Sequence, residues 1–164
     1  MVRIPRRGGY TLVEVMLVVA ILGIIASVGA NMLLQVNRYF ILSQARLDVQ
    51  KEARAAMYVM TRELRQAQSN TIIIDQAPSQ PYYSRITFEV NTTTMTFEQQ
   101  GNELIQSVKG GQIVLSKNLE YLAFTFPRSD DITILSVSVT LKKEIYQGRS
   151  KAIHMASEQV QVMN

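Results

Sequence analysis

Glu14 occupies the position that most constrains the chemistry of this chain. It stands directly before an uncharged run of 23 residues, 15–37. A carboxylate carried into lipid by such a run costs roughly 3 kcal/mol unless it is paired or neutralised. Cutting the chain after Gly9 would free an α-amino group at Tyr10, the nearest cation that processing could create. Glu14 therefore either pairs with the Tyr10 amine of an adjacent chain or extends to water at the membrane surface.

The other side chains that could support catalysis or metal binding form no constellation in the sequence. Because there is no Cys, thiol catalysis and a disulfide framework are excluded and a zinc site is disfavoured. Asp130 and Asp131 are the best calcium ligands, but calcium takes about six oxygens, and we interpret the pair as turn residues. His154 has no companion ligand and is interpreted as structural. We expect no catalytic residue, no metal and no cofactor, and we do not expect an enzyme.

The positive charge of the chain is concentrated at its N-terminus. The formal net charge is +4, and Arg3, Arg6 and Arg7 supply three of these charges within residues 1–9. Residues 71–164 contain eight basic and nine acidic side chains, a net charge of −1. A nucleic-acid surface requires clustered Lys and Arg. Nucleic acid is therefore an unexpected partner for the C-terminal half.

The uncharged run predicts a single membrane-spanning helix. At about 1.5 Å per residue, a helix of this length reaches roughly 35 Å, which exceeds a hydrocarbon core of about 30 Å. Residues 15–30 lack the polar stripe expected of a core helix in a globular protein. The preceding Arg residues favour a cytoplasmic N-terminus, with the rest of the chain across the membrane. A secretory signal peptide is disfavoured because the run is too long and no small-residue cleavage site follows it.

An amphipathic helix is predicted for residues 38–70. Apolar residues recur there at intervals of three and four, and no Gly or Pro occurs between Ala30 and Ala77, so the membrane helix should continue into this one. The stripe comprises Leu42, Ala45, Val49, Ala53, Ala56, Met60, Leu64 and Ala67. We expect its upper part to pack on the protein's own sheet. A two-chain coiled coil is the competing interpretation, but the many Ala suit close helix packing better.

Alternating apolar and polar residues dominate residues 71–164. The predicted strands are 71–75, 85–90, 94–99, 104–108, 112–116, 119–126, 132–142 and 152–163. Gly110-Gly111 marks one predicted turn, and Gln147-Gly148-Arg149 marks another. One long helix followed by several short strands predicts an α+β fold in which an antiparallel sheet packs on the helix. The loop 77–84 carries Tyr82 and Tyr83, which either form a partner site or cover the core.

The N-terminal segment resembles the class III signal of type IV pilins and pseudopilins. The matching residues, Gly9-Tyr10-Thr11-Leu12-Val13-Glu14, lie between a short basic leader and an apolar helix. The resemblance implies that a prepilin peptidase cuts after Gly9 and methylates the new N-terminus at Tyr10. Glu14 then becomes the fifth mature residue and forms an assembly salt bridge with a neighbour's N-terminus, whereas cutting after Gly8 would make it the sixth. Tyr10 departs from the usual Phe, which bears on methylation efficiency.

The resemblance also implies the organisation and partners of the chain. It divides the chain into a cleaved leader (1–9), a transmembrane helix (10–37), an amphipathic helix (38–70) and a β-rich globular head (71–164). Gly23 and Gly29 are expected to give the helix flexibility, because the Pro common in major pilins would fall at Asn31 and is absent. The expected location is the inner membrane, with a periplasmic or extracellular head. The expected partners are the prepilin peptidase, other pilins or pseudopilins, and an inner-membrane assembly platform.

A narrower resemblance covers residues 54–67. Arg54 and the segment from Met57 to Ala67 resemble part of the J-type minor pseudopilins and the W-type minor pilins. Arg62, Glu63 and Arg65 are interpreted as surface pairs three positions apart rather than as an assembly contact. The implied function is that of a minor pseudopilin in a type II secretion system.

Three other functions remain open at this point. A close alternative is a minor type IV pilin at a pilus tip, which primes assembly, adhesion or DNA uptake. A DNA-binding uptake pilin would need a basic stripe on residues 71–164, whose net charge of −1 argues against it. A lone membrane-anchored sensor or enzyme would require an uncleaved N-terminus.

Overall fold

The computed structural model describes residues 9–146 and 150–162. Within these residues, one long helix, α1 (Leu12–Arg65), is followed by a 3-10 turn (Ser69–Thr71) and eight strands in antiparallel pairs. The strands are β1 (Ile73–Asp75), β2 (Arg85–Val90), β3 (Thr93–Gln100), β4 (Glu103–Val108), β5 (Gly111–Ser116), β6 (Leu119–Thr125), β7 (Ile134–Tyr146) and β8 (Ser150–Gln161). The predicted α+β fold class is confirmed.

The chain divides into two compact units, and the first of them ends at Ile41. In its described part, residues 9–41, α1 exposes large apolar side chains on every side and buries none of them. The helix is long and apolar enough to cross a membrane. An apolar surface of this extent requires lipid or other apolar chains around it, which fits a membrane-anchored segment.

The second unit begins at Leu42 and contains the rest of α1 together with the strands. The predicted apolar stripe is confirmed, since its buried members are Ala45, Val49, Ala53, Ala56, Met60, Leu64 and Ala67. Leu42, the first residue of the stripe, is half-buried. The stripe belongs to one hydrophobic cluster with inward-facing residues of both sheets. This part of α1 therefore shares its core with the strands.

The end of α1 lies at Arg65, five residues before the predicted end of the amphipathic helix at residue 70. The backbone N–H groups of Gln66 and Ala67 donate to carbonyls three residues back, so the last turn tightens. The N–H of Gln68 donates to the carbonyl oxygen of Glu89 on β2 at 3.0 Å. Because this strand contact takes the donor that a continuing helix would use, α1 ends here.

The strands form two sheets, where the sequence suggested one. The first has the order β1-β2-β3-β4-β5 and the second β6-β7-β8. The division falls between β5 and β6, where Glu52 of α1 accepts hydrogen bonds from the Lys117 backbone N–H at 3.1 Å and from Asn118 Nδ2 at 2.7 Å. These bonds hold the turn through which the chain leaves the first sheet, and β6 then pairs with β7.

The observed strand boundaries agree best with the predicted ones where apolar and polar residues alternate most strongly. β2 spans the predicted residues 85–90, and in β7 the buried side chains are Leu135, Val137, Val139 and Leu141. Leu135 therefore begins the inward face of β7. The predicted turn at 147–149 lies outside the described residues. The β4–β5 turn is formed by Lys109 and Gly110, with left-handed φ values of 50° and 81°, and Gly111 already belongs to β5.

Phe88 and Phe97 form the aromatic centre of the first sheet's buried face. Both are fully buried, and their ring centroids lie 5.8 Å apart. Phe88→Ala should lower the free energy of unfolding by about 3–5 kcal/mol, because it removes buried apolar surface and leaves a cavity. Urea unfolding of the full-length chain in detergent micelles, followed by pulse proteolysis, measures the change. Ile113→Ala on β5, where the side chain is 57% exposed, is the control and should shift stability by less than about 1 kcal/mol. Equal losses in both variants would contradict this core.

Asp75 and Arg85 face each other across β1 and β2. Arg85 Nε donates to Asp75 Oδ1 at 2.7 Å, and this hydrogen bond lowers the pKa of the Asp75 carboxyl below its ordinary value. A carboxyl with a lowered folded-state pKa stabilises the fold above its ordinary pKa and loses that contribution as pH falls through the lowered value. Asp75→Asn should therefore destabilise the chain at pH 7 by at most about 0.5 kcal/mol, since the Asp75 side chain is 40% exposed.

The pH dependence of this difference is the test. Urea midpoints of wild type and Asp75→Asn, measured from about pH 7 down to about pH 2, should differ at neutral pH and converge in acid. A difference that persists unchanged at the acid end would show that the pair contributes nothing through ionisation.

Candidate functional site

The candidate site is the segment from Gly9 to Glu14, where α1 begins. Thr11 precedes the helix, and its backbone N–H donates to Glu14 Oε2 at 3.4 Å. In return, the Glu14 N–H donates to Thr11 Oγ1 at 3.3 Å. This reciprocal pair is a capping box, which satisfies N–H groups that have no partner within the helix. Thr11 and Glu14 therefore fix the first turn of α1 at Leu12.

Glu14 has no cation within reach along its own helix. The next charged side chain toward the C-terminus is Arg38, 24 residues on, which corresponds to roughly 36 Å of helix. Among the described residues, the hydrogen-bond partners of Glu14 within the first turn are groups of Thr11, which are neutral. The carboxylate is also exposed in the free chain. Any cation that pairs with Glu14 therefore comes from outside α1.

The predicted cleavage point precedes the helix. Tyr10 is 83% exposed, and Gly9 is exposed as well, so both are open to an enzyme. A Cβ added to Gly9 would meet no other atom within 4 Å. Cleavage there would leave the new amine at Tyr10 directly before the capping Thr11. Residues 1–8, including Arg3, Arg6, Arg7 and Gly8, lie outside the described residues.

Gly23 and Gly29 lie inside α1, which continues through both without a break. Neither has an atom within 4 Å of the place where a Cβ would be, so no close contact requires glycine there. Asn31 donates from Nδ2 to the carbonyl oxygen of Ser27 at 3.2 Å. The predicted flexibility of the helix rests on the low helix propensity of glycine and stays a prediction.

The comparison with family models identifies this segment. Residues 4–30 match the model of the prokaryotic N-terminal methylation motif, and the match includes Gly9, Tyr10 and Glu14. This match supports a type IV pilin-like protein. Comparisons with curated proteins and with solved structures gave no match.

The pilin-like motif accounts for the unusual first unit. A motif of this kind implies processing by a prepilin peptidase and assembly with other pilins in a filament. It points to a structural subunit rather than to an enzyme. The apolar part of α1 fits the membrane anchor of such a subunit.

The other candidate residues of this pilin-like protein are not brought together. Asp131 Oδ1 accepts hydrogen bonds from the backbone N–H and the hydroxyl of Thr133, which lower the pKa of the Asp131 carboxyl. The residue acts as a turn residue, as predicted. His154 lies in the middle of β8 and is half-buried. Tyr82 and Tyr83 are both exposed, so they do not cover the core.

Two features of the structure are not among the predictions made from the sequence. The capping box follows a recognisable pattern, Thr at the first position and Glu three residues later before an apolar run. The sequence-based predictions for these residues concern processing and, at Glu14, pairing with a neighbouring chain. The expected pairing of Arg62, Glu63 and Arg65 three positions apart is wrong. Arg62 pairs with the adjacent, largely buried Glu63, and Arg65 lies 3.9 Å from Glu158 of β8. The second contact joins residues 93 positions apart, and no local pattern indicates it.

Proposed function

We propose that this chain is a minor pseudopilin of a type II secretion system, similar to the J type. The observation that carries the proposal is a lone carboxylate, Glu14, at the start of an apolar helix within a matched N-terminal methylation motif. The segment from Arg54 to Ala67, with its resemblance to J-type pseudopilins, supports the narrower assignment.

The proposed processing begins at the cytoplasmic face of the inner membrane. The prepilin peptidase cuts after Gly9 and methylates the amine of Tyr10. The mature chain is then a single-pass protein with a cytoplasmic N-terminus and a periplasmic or extracellular head. Residues 10–37 anchor it, residues 38–70 lead into the head, and residues 71–164 form the head.

The proposed assembly step moves the apolar helix from lipid into a bundle of neighbouring helices. Glu14 steers this step, because its carboxylate meets the N-terminal amine of an adjacent subunit. Pairing removes the penalty of roughly 3 kcal/mol that the unpaired carboxylate carries in an apolar environment. Gly23 and Gly29 let the helix adjust as it enters the bundle.

A deletion strain tests the proposed system. Loss of this chain should abolish secretion by the type II pathway while surface pili remain, and the wild-type gene should restore secretion. A strain that secretes normally but has lost its pili would overturn the secretion assignment in favour of a minor pilin at a pilus tip.

A further inference from the structure

In the part of the chain that the structure describes, strand β8 has one unpaired edge. The second sheet has the order β6-β7-β8, and among the described residues β8 pairs with β7 alone. Every second residue of such a strand directs its N–H and C=O away from the sheet. Natural edge strands are usually short or carry Pro and several charges, which discourage pairing with another chain. β8 is 12 residues long, contains no Pro, and has Lys151 and Glu158 as its charged residues.

The inward face of β8 is open at its centre. Ala152 and Val160, near the two ends of the strand, are buried. Between them, His154 and Ala156 are half-buried and Glu158 is exposed. A groove of about 940 Å³ lies here, between residues 154–158 of β8 and the last three turns of α1. A strand added to the edge of β8 would lie along this groove.

The α1 side of the groove is basic. It carries Arg54, Arg62 and Arg65, with Tyr58 between the first two and 66% exposed. Arg62 is partly compensated by Glu63, and Arg65 lies 3.9 Å from Glu158. Arg54 forms no ion pair within the described residues. The charged residues lining the groove are three Arg and one Glu, a net charge of +2.

We propose that the edge of β8 binds an extended, acidic segment of another protein as an additional strand. The backbone of the segment would pair with β8, since strand addition supplies main-chain hydrogen bonds. Alternate side chains of an added strand point to the same side, so acidic residues at every second position would face Arg54, Arg62 and Arg65. This surface lies on the second unit and goes beyond the proposed assembly function, because it needs neither Glu14 nor the membrane helix.

The direct test uses a short synthetic peptide in which Glu alternates with Val, labelled with fluorescein. Binding to the full-length chain in detergent micelles is measured by fluorescence polarisation at low salt. The same peptide with Lys in place of Glu should bind about tenfold more weakly or worse. A version with N-methylated backbone amides, which lacks donors for a strand ladder, should lose binding even though its charge is unchanged. Equal binding of either control peptide would overturn the proposal.

Hydrogen exchange locates the binding. The acidic peptide should protect amides of β8, residues 150–161, and should leave β5, residues 111–116, unchanged. β5 is a matched control because it is also an edge strand and exposes Ile113 and Val114. Protection of β5 instead of β8 would contradict the proposed site. Protection of β8 without peptide, together with a dimer mass at high protein concentration, would show that a second copy occupies the edge instead.

Substitutions in α1 test the charge complementarity. Arg54→Gln, Arg62→Gln and Arg65→Gln should each weaken binding of the acidic peptide about two- to fivefold, and the triple variant about tenfold or more. Arg46→Gln is the matched control, because Arg46 is an exposed Arg of the same helix outside the groove. A triple variant that binds like wild type would overturn the charge argument. If duplex DNA displaced the peptide and itself protected the amides of β8, the occupant of this edge would be nucleic acid and not an acidic protein segment.

Discussion

Replacing Glu14 with Ala should leave membrane insertion and leader cleavage intact and should prevent incorporation into filaments. The apolar run that drives insertion is unchanged, and Gly9 and Tyr10 are untouched. Loss of one partner from a desolvated interfacial charge pair costs about 2–5 kcal/mol, which corresponds to a drop in incorporation of about 30-fold or more. The measurement is the amount of mature subunit in sheared filament fractions, relative to the amount in membranes.

Glu14→Gln separates the two roles of this side chain. Gln keeps a side-chain oxygen that can accept from the Thr11 N–H, so it preserves the capping box but carries no charge. We expect Glu14→Gln to fail in assembly as Glu14→Ala does. Thr11→Ala is the complementary control, since it removes the hydroxyl that accepts from the Glu14 N–H and keeps the carboxylate. It should destabilise the first turn by about 1 kcal/mol and still assemble. If Glu14→Gln assembled and Thr11→Ala did not, capping would be the function of Glu14 and the charge pair would be wrong.

Gly9→Val should leave the precursor uncleaved and therefore unassembled. Nothing lies within 4 Å of a Cβ at Gly9, so the substitution should act on processing and not on the fold. Without cleavage no amine forms at Tyr10, and a neighbour's Glu14 has no partner. Co-expression with a prepilin peptidase, followed by mass determination, should show the full precursor in the variant and the shortened chain in wild type.

Two glycine variants serve as controls for this experiment. Gly8→Ala should still be cleaved after Gly9, because Gly8 is not the predicted cleavage residue. Gly23→Ala should also be cleaved, because Gly23 lies inside α1 with open space around it. Loss of cleavage in Gly8→Ala together with normal cleavage in Gly9→Val would place the processing site one residue earlier and make Glu14 the sixth mature residue.

The periodic spacing of apolar residues in the sequence correctly predicted which faces of the helix and of two strands are buried. The stripe from Ala45 to Leu64 marked the buried face of α1, and alternation in residues 85–90 and 135–141 marked the inward faces of β2 and β7. These patterns arise because the side chains that face one core recur at a fixed interval along a helix and at a different fixed interval along a strand.

The features that the sequence did not predict depend on contacts between distant residues. The division into two sheets accompanies the contact of Glu52 with residues 117 and 118, about 65 positions away. The end of α1 depends on the bond between Gln68 and Glu89. The groove between α1 and β8 is lined by residues 54–66 and 154–158, which lie about 90 positions apart in the sequence. Glu14 itself was recognisable from its position alone, because one charge beside a long apolar run is conspicuous in any sequence.

The intact mass of the mature protein tests the central claim most directly. The pairing of Glu14 with a neighbouring N-terminus requires an amine at Tyr10, which exists only after cleavage behind Gly9. Protein isolated from membranes should have lost the mass of residues 1–9 and gained one methyl group, and fragmentation should locate that methyl group on Tyr10. A mature protein that retains Arg3, Arg6 and Arg7 at its N-terminus would contradict the account.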